Sequence, residues 1–163
     1  MIIVILDSSA ISRKEREKNA QIECSHIIKK ENAKIIFIKH KNKKELLKRF
    51  RQSSFRRDDR FLRFAKEEDY DDIRKKEKAS KLINNCLQQE IRRICTTLEE
   101  VEKDYHLILG ALYHINGNKA VILTSDSKFI DSFYKIKEQR KEECRELQYV
   151  EVKLIQNGEI HER

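Results

Sequence analysis

The sequence predicts an α/β fold, a three-layer α/β/α sandwich around a mostly parallel central sheet, formed as a single domain over residues 1–163. Three observations carry that prediction. Short apolar runs alternate with longer charged segments of helical period, as repeated βαβ units do. The runs Ile2 to Leu6 and Ala120 to Leu123 are continuous rather than alternating, the pattern of strands buried on both faces of a parallel sheet. A chain of 163 residues is long enough for one domain with a substantial core and too short for two comfortable ones.

The elements follow in order. A strand over 2–6 leads through a polar stretch to a helix near 20–30, and a strand over 34–38 leads to a helix near 43–52. Charged helical segments are predicted from about 57 to 66 and from 72 to 94, with Asp71 or Asp72 as an N-cap. The helix over 99–115 ends at Asn116-Gly117, a C-cap signal, and a strand over 120–124, a short helix over 128–137 and a strand over 149–155 complete the chain. With three glycines and no proline, most turns fall to Asn, Ser and Asp.

Composition narrows the class. The chain is 39% hydrophobic and 39% charged, so it is globular with long solvated faces. The first apolar run is only five residues long and ends in an acid, which does not fit a signal peptide, and no run approaches a membrane span. The expectation is a cytoplasmic protein with no membrane partner. Cys24, Cys86, Cys95 and Cys144 show neither a CxxC pair nor finger spacing, which argues against a zinc site. Cys86 shares a helical face with Ala79, Ile83 and Ile94 and reads as a buried thiol.

Three aspartates stand where the pattern asks for hydrophobic residues. Asp7 ends the run IIVIL and Asp126 follows AVILTS, so both fall at the carboxyl ends of predicted parallel strands, where the ligand crevice of such sheets lies. Spacings of three and four residues place Asp104 on one helical face with Val101, Ile108, Ala111 and Ile115, pointing toward the sheet. Carboxylates there are costly unless paired or bound to a cation, and converging ones repel. A divalent metal removes both penalties. The plainer alternative is that an aspartate after a strand serves as a turn or cap residue.

The charge of +8 is concentrated. Lys39 to Arg63 holds eleven Lys or Arg against three acids, a net +8 that accounts for the whole excess. Four phenylalanines, Phe50, Phe55, Phe61 and Phe64, are interleaved with these cations. Such a mixture can grip phosphates and stack unpaired bases, with Lys43, Lys44, Arg49, Arg51, Arg56, Arg57 and Arg60 as the candidate RNA-binding residues. The plainer alternative is a solvated helical surface whose phenylalanines lie in the core or in a dimer contact, and for the patch as a whole nucleic acid is the favoured partner.

ILDSSAIS resembles the opening motif of PIN-domain nucleases, a hydrophobic strand ending in Asp and followed by a small hydroxyl residue. KDYHLILGAL resembles their helix motif and VILTSDSKF their late strand, and the order of the three along the chain fits as well. The resemblance covers essentially the whole protein. It implies a metal set of Asp7, Asp104, Asp126 and Glu45, the last from KNKKELLKRF directly after the second strand, with Glu67 and Glu68 as weaker competitors. Ser8 and Ser125 are neighbouring hydroxyls that could orient a carboxylate or water. Lys128 stands where the late motif often has a second Asp, and Gly110 where the helix motif often has Ala, a change that could allow close packing against a strand.

The implied chemistry is RNA hydrolysis by one or two Mg²⁺ or Mn²⁺ ions held by oxygen ligands, giving a 5′-phosphate and a 3′-hydroxyl. The size resembles that of toxin ribonucleases of toxin-antitoxin pairs, so RNA, an antitoxin protein and a second copy of the chain are the partners it suggests. His106 and His114 read as structural. A catalytically silent PIN-like module that binds RNA or a protein partner is the alternative. A phosphatase of the haloacid dehalogenase type needs a second Asp two residues after the first, and Ser9 occupies that place.

Overall fold

The computed structural model describes residues 1–39, 44–87 and 98–156, except for the side chains of 87 and 98–105. Among them five strands form one sheet: β1 (Ile2–Leu6), β2 (Ala33–Lys39), β3 (Ala65–Asp69), β4 (Lys119–Thr124) and β5 (Val150–Leu154). They are ordered β3-β2-β1-β4-β5 and every pairing is parallel. β1 lies at the centre, with Leu6 level with Phe37 on one side and Leu123 on the other.

Side chains alternate across the sheet and build a core on each face. Val4, Leu6, Ile35, Phe37, Val121 and Leu123 point to one. That face is covered by α1 (Lys14–Lys30), α2 (Lys44–Gln52), α3 (Ser54–Arg57) and α4 (Asp59–Leu62). Ile3, Ile5, Ile36, Ile38, Ala120 and Ile122 point to the other. It carries α5 (Tyr70–Arg74), α6 (Glu77–Leu82), a π-helical turn (Ile83–Leu87), α7 (Leu98–His114) and α8 (Ser127–Gln139). The result is the three-layer α/β/α sandwich that the alternation of the sequence predicts. No helix among the described residues is long and apolar enough to cross a membrane.

The four phenylalanines of the basic segment belong to this packing. Phe50 stacks on Phe37 with ring centroids 4.5 Å apart, Phe55 packs against Phe61, and Phe50, Phe55 and Phe61 are fully buried. Phe64 is half-buried against the same core. Their interleaving with arginines is the signature of short amphipathic helices, so stacking of bases on Phe50, Phe55 or Phe61 is ruled out by burial.

Three sequence expectations need correction. The segment 57–66, read as helical, starts at the last residue of α3, contains α4 and then runs into β3, whose sequence AKEED has no strand-like apolar pattern. An edge strand needs few apolar residues, and here only Ala65 is buried. Its acids are matched by cations instead: Glu67 receives two hydrogen bonds from Arg51, and Glu68 and Asp69 face Lys34 and Lys39. Asp69, rather than Asp71 or Asp72, caps α5 by accepting from the Asp71 amide. The third is Cys86. It is buried, as expected, but forms a disulfide with Cys144. Ile94, assigned to its face, lies outside the described residues.

Gly110 lets α7 approach the sheet. A Cβ there would sit 2.9 Å from Cδ1 of Ile38 on β2, so the helix gains closeness that alanine would oppose. Past the end of α7, Gly117 takes φ +75°, as its place in the Asn116-Gly117 turn predicts. Side chains also protect the sheet's two edges. Arg56 donates to the carbonyl of Ala65 on β3, and Tyr134 and Lys137 donate to the carbonyls of Val152 and Val150 on β5.

His114, near the end of α7, holds Nε2 2.9 Å from Oε2 of Glu68. Burial pushes its pKa below the usual 6.5 despite the opposing pull of Glu68. The unfolded chain therefore takes up a proton on this residue before the native state does, and stability present above pH 6.5 is lost as pH falls below it. Melting temperatures measured from pH 7.5 down to pH 5 should show a smaller decline for His114→Gln than for the wild type. Parallel declines would remove His114 as the source.

Candidate functional site

The chain moves from β1 outward to β2 and β3, then returns to the other side of β1 for β4 and β5. The order reverses between β1 and β4. The segments that follow these two strands therefore part toward opposite faces, to α1 after β1 and to α8 after β4, and a crevice opens beyond the strands' carboxyl ends. Asp7 and Asp126 lie on its two sides.

Asp7 continues β1 by one residue, its amide donating to the carbonyl of Leu123 at 2.9 Å. Its carboxylate is held by hydroxyls. Oδ2 accepts from Ser9 Oγ and from Thr124 Oγ1, each at 2.6 Å, and Oδ1 accepts from Ser8 Oγ at 3.3 Å. A hydroxyl has one proton to give. With those of Ser9 and Thr124 committed to Oδ2, the 3.2 Å contact between the two oxygens closes a triangle without adding a bond. Their lone pairs take backbone amides from the opposite side, Ser125 N onto Ser9 Oγ and Asp126 N onto Thr124 Oγ1. Ser125 Oγ donates to the Ser9 carbonyl at 2.9 Å and ties the two loops together once more.

Asp126 is the N-cap of α8. Its Oδ1 accepts from the amides of Lys128 and Phe129 at 3.0 and 3.2 Å, satisfying two of the helix's open donors. The cap role that its position allows is therefore real. Among the described residues no hydrogen bond reaches Asp126 Oδ2, and Asp7 Oδ1 has only the long one from Ser8. Each acid thus has one oxygen fixed by the protein and one with capacity to spare.

Such a pair suits a hard divalent cation. Carboxylate oxygens match Mg²⁺ and Mn²⁺, and carboxylates already oriented by hydroxyl and amide donors need little rearrangement to bind. No third acid converges on them among the described side chains. α7 leads into the amino end of β4 and so runs against the strands, which puts its N-terminal half, with Asp104, toward the carboxyl edge. The Asp104 side chain itself lies outside the description. Glu45 is exposed in the first turn of α2, a helix that packs beside the 3₁₀ turn Ser8–Ile11 following Asp7. It shares the edge without touching the aspartates. Glu67 and Glu68 are occupied by Arg51 and by His114 with Lys34.

Among the hydroxyls, Ser8 reaches Asp7 as expected, whereas Ser125 serves the Ser9 carbonyl rather than a carboxylate. Ser9 and Thr124 are the residues that sequence reasoning missed. A signal was present: a hydroxyl as the last residue of a buried strand is as anomalous as an aspartate just after one, and Thr124 is completely buried. His106 is buried with its ring edge against Tyr70. Both helix histidines, then, serve the packing.

The basic residues divide into two groups. Arg51 is paired with Glu67, Arg60 chelates Asp58, and Arg56 secures the β3 edge. The Arg60 pair lowers the Asp58 pKa through its hydrogen bonds, and Arg51 does the same to Glu67. Lys44, Arg49 and Arg57 are exposed, with no partner among the described residues, and Lys43 lies outside them. Compared with protein-family models, curated proteins and solved structures, the chain matches none.

Two substitutions separate the roles. Thr124→Val removes a donor to Asp7 and an acceptor for the Asp126 amide, and should cost about 1.5–3 kcal/mol of stability. Asp126→Asn keeps a good capping side chain and should stay within about 1 kcal/mol of wild type without divalent ions. Chemical denaturation reads both. A neutral Thr124→Val would mean that the hydroxyl clamp is not formed in solution.

Proposed function

We propose that the protein is a Mg²⁺- or Mn²⁺-dependent ribonuclease that hydrolyses RNA phosphodiester bonds at the carboxyl edge of β1 and β4. The supporting observation is the pair Asp7 and Asp126, set just after neighbouring strands where the sheet order reverses, each with one anchored oxygen and one with capacity to spare. The resemblance of the surrounding motifs to PIN-domain nucleases points the same way. When bound, the cation would activate water and polarise the phosphodiester.

The chain's own residues do the positioning. Ser9 and Thr124 hold the Asp7 carboxylate in one orientation, and the first turn of α8 holds that of Asp126. Asp104 and Glu45 would complete the oxygen set from the helices that flank this edge. Lys44, Arg49 and Arg57 would hold substrate phosphates, supplying affinity without sequence preference. A toxin role with an antitoxin partner is consistent with the chain's size and belongs to the same proposal.

Mn²⁺ should raise the melting temperature of the wild type by binding its native state, and RNA should be cut in its presence. Asp7→Asn should abolish both while folding normally. Thr124→Val should lower activity by about 10- to 100-fold, as loss of an outer-sphere partner does. Binding of RNA with no cleavage under any divalent ion would replace this reading with that of a silent binding module.

Charge reversal at Lys44 and Arg57 should weaken RNA binding on most sequences alike and reduce the slope of log K against log salt by about 1 per lost contact. The same change at Arg56 should instead destabilise the protein. RNA affinity indifferent to Lys44 and Arg57 would move the contact surface elsewhere.

A further inference from the structure

Away from the aspartate edge, the Cys86–Cys144 disulfide joins the π-helical turn Ile83–Leu87 to the loop between α8 and the 3₁₀ turn Arg145–Tyr149, bridging 58 residues of sequence. Both cysteines are buried. Oε2 of the exposed Glu146 lies 3.6 Å from Cys144 Sγ, and ligand atoms of Cys86, Cys144 and Glu146 all fall within 4.8 Å of one another. In a disulfide these sulfurs carry no proton, so the 3.6 Å approach is a contact rather than a hydrogen bond.

Three donors around one tetrahedral zinc lie about 3.5–3.8 Å apart, given metal–sulfur bonds near 2.3 Å and metal–oxygen bonds near 2.0–2.2 Å. The trio needs only a small rearrangement to reach that spacing once the sulfurs separate. A cavity of about 470 Å³, lined by Cys86 and Glu146 together with Glu77, Asn85 and Glu143, opens beside it and provides an entry path and room for water. Cys86 is carried by a π-helical turn, a rare geometry frequent at functional sites.

We propose that, in the reduced protein, Cys86, Cys144 and Glu146 bind a thiophilic divalent cation of the Zn²⁺ type, and that the disulfide closes this site. Two molecules of a thiol reductant supply two electrons and two protons: they become one disulfide, the Cys86–Cys144 bond breaks, and each cysteine sulfur takes a proton. The cation displaces those two protons and forms two metal–sulfur bonds, with the Glu146 carboxylate as third ligand and water as fourth. Buried surroundings disfavour a bare thiolate, so the cation's charge is what holds both sulfurs deprotonated. Soft sulfur ligands select this class of ion and not the Mg²⁺ or Mn²⁺ that suits the aspartates. Cys24 is no competitor: burial and then the nearby Glu23 push its thiol up to about 12, and no partner ligand accompanies it among the described residues.

Co²⁺ is the probe. Full-length protein reduced with a phosphine should develop a sulfur-to-cobalt charge-transfer absorption that one equivalent of Zn²⁺ abolishes, and the oxidised protein should show none. Cys86→Ser should remove the band. Glu146→Gln, a surface change that leaves the fold intact, should weaken Co²⁺ binding by at least about 10- to 100-fold, the cost of losing even an outer-sphere partner. Asp7→Asn should leave the band unchanged, which separates this site from the aspartate edge. A reduced wild type without the band, a band that persists in Cys86→Ser, or undiminished affinity in Glu146→Gln would overturn the proposal.

Discussion

Parallel pairing of β1 with strands on both sides fixes the rest of the molecule. Its five residues have their backbone groups paired to β2 and β4, and their side chains are committed alternately to two cores. Polar groups can enter this strand only where it ends. The neighbouring strand β4 ends beside it, one segment turning toward α1 and the other toward α8, so the carboxyl edge between them is where polar chemistry can collect. Asp7 sits at that boundary, and a carboxylate there must be compensated. Ser9 and Thr124 supply the compensation at 2.6 Å each, and their remaining lone pairs hold the Ser125 and Asp126 amides. One network therefore positions the first acid and the loop that bears the second.

Much of the fold was legible because it rests on continuous apolar runs. Ile2 to Leu6 and Ala120 to Leu123 predicted central parallel strands and are β1 and β4, and the long periodic segment 99–115 is α7. β3 escaped because AKEED is an edge strand whose charges are neutralised from outside, by Arg51, Lys34 and Lys39, a tertiary arrangement that no local pattern encodes. The pairing of Cys86 with Cys144 escaped for the same reason. At the site, the positions of Asp7 and Asp126 could be read from the pattern, whereas the hydroxyl clamp depends on register: Thr124 faces Asp7 only because Leu6 is level with Leu123.

The basic segment shows how composition misleads when burial is unknown. Its +8 excess and interleaved phenylalanines read as a nucleic-acid platform. In the fold the rings face inward, and three of the seven proposed cations are engaged, Arg51 and Arg60 with carboxylates and Arg56 with a backbone carbonyl. Exposed ion pairs of this kind add little stability. What they do is orient side chains and remove them from the pool available to a polyanion. The surviving candidates, Lys44, Arg49 and Arg57, form a smaller and more specific set, and Lys44 opens the helix that stands beside the Asp7 turn.

Asp7 and Asp126 are proposed to hold a divalent cation jointly at the reversal of the sheet. Mn²⁺ binding, followed by electron paramagnetic resonance on oxidised wild type and Asp126→Asn, tests it most directly, because asparagine preserves the helix cap and removes only the charge and one anionic oxygen. The wild type should deplete the free-Mn²⁺ signal, and the variant should melt normally but leave the signal near its protein-free level. Equal depletion by both proteins would contradict joint binding.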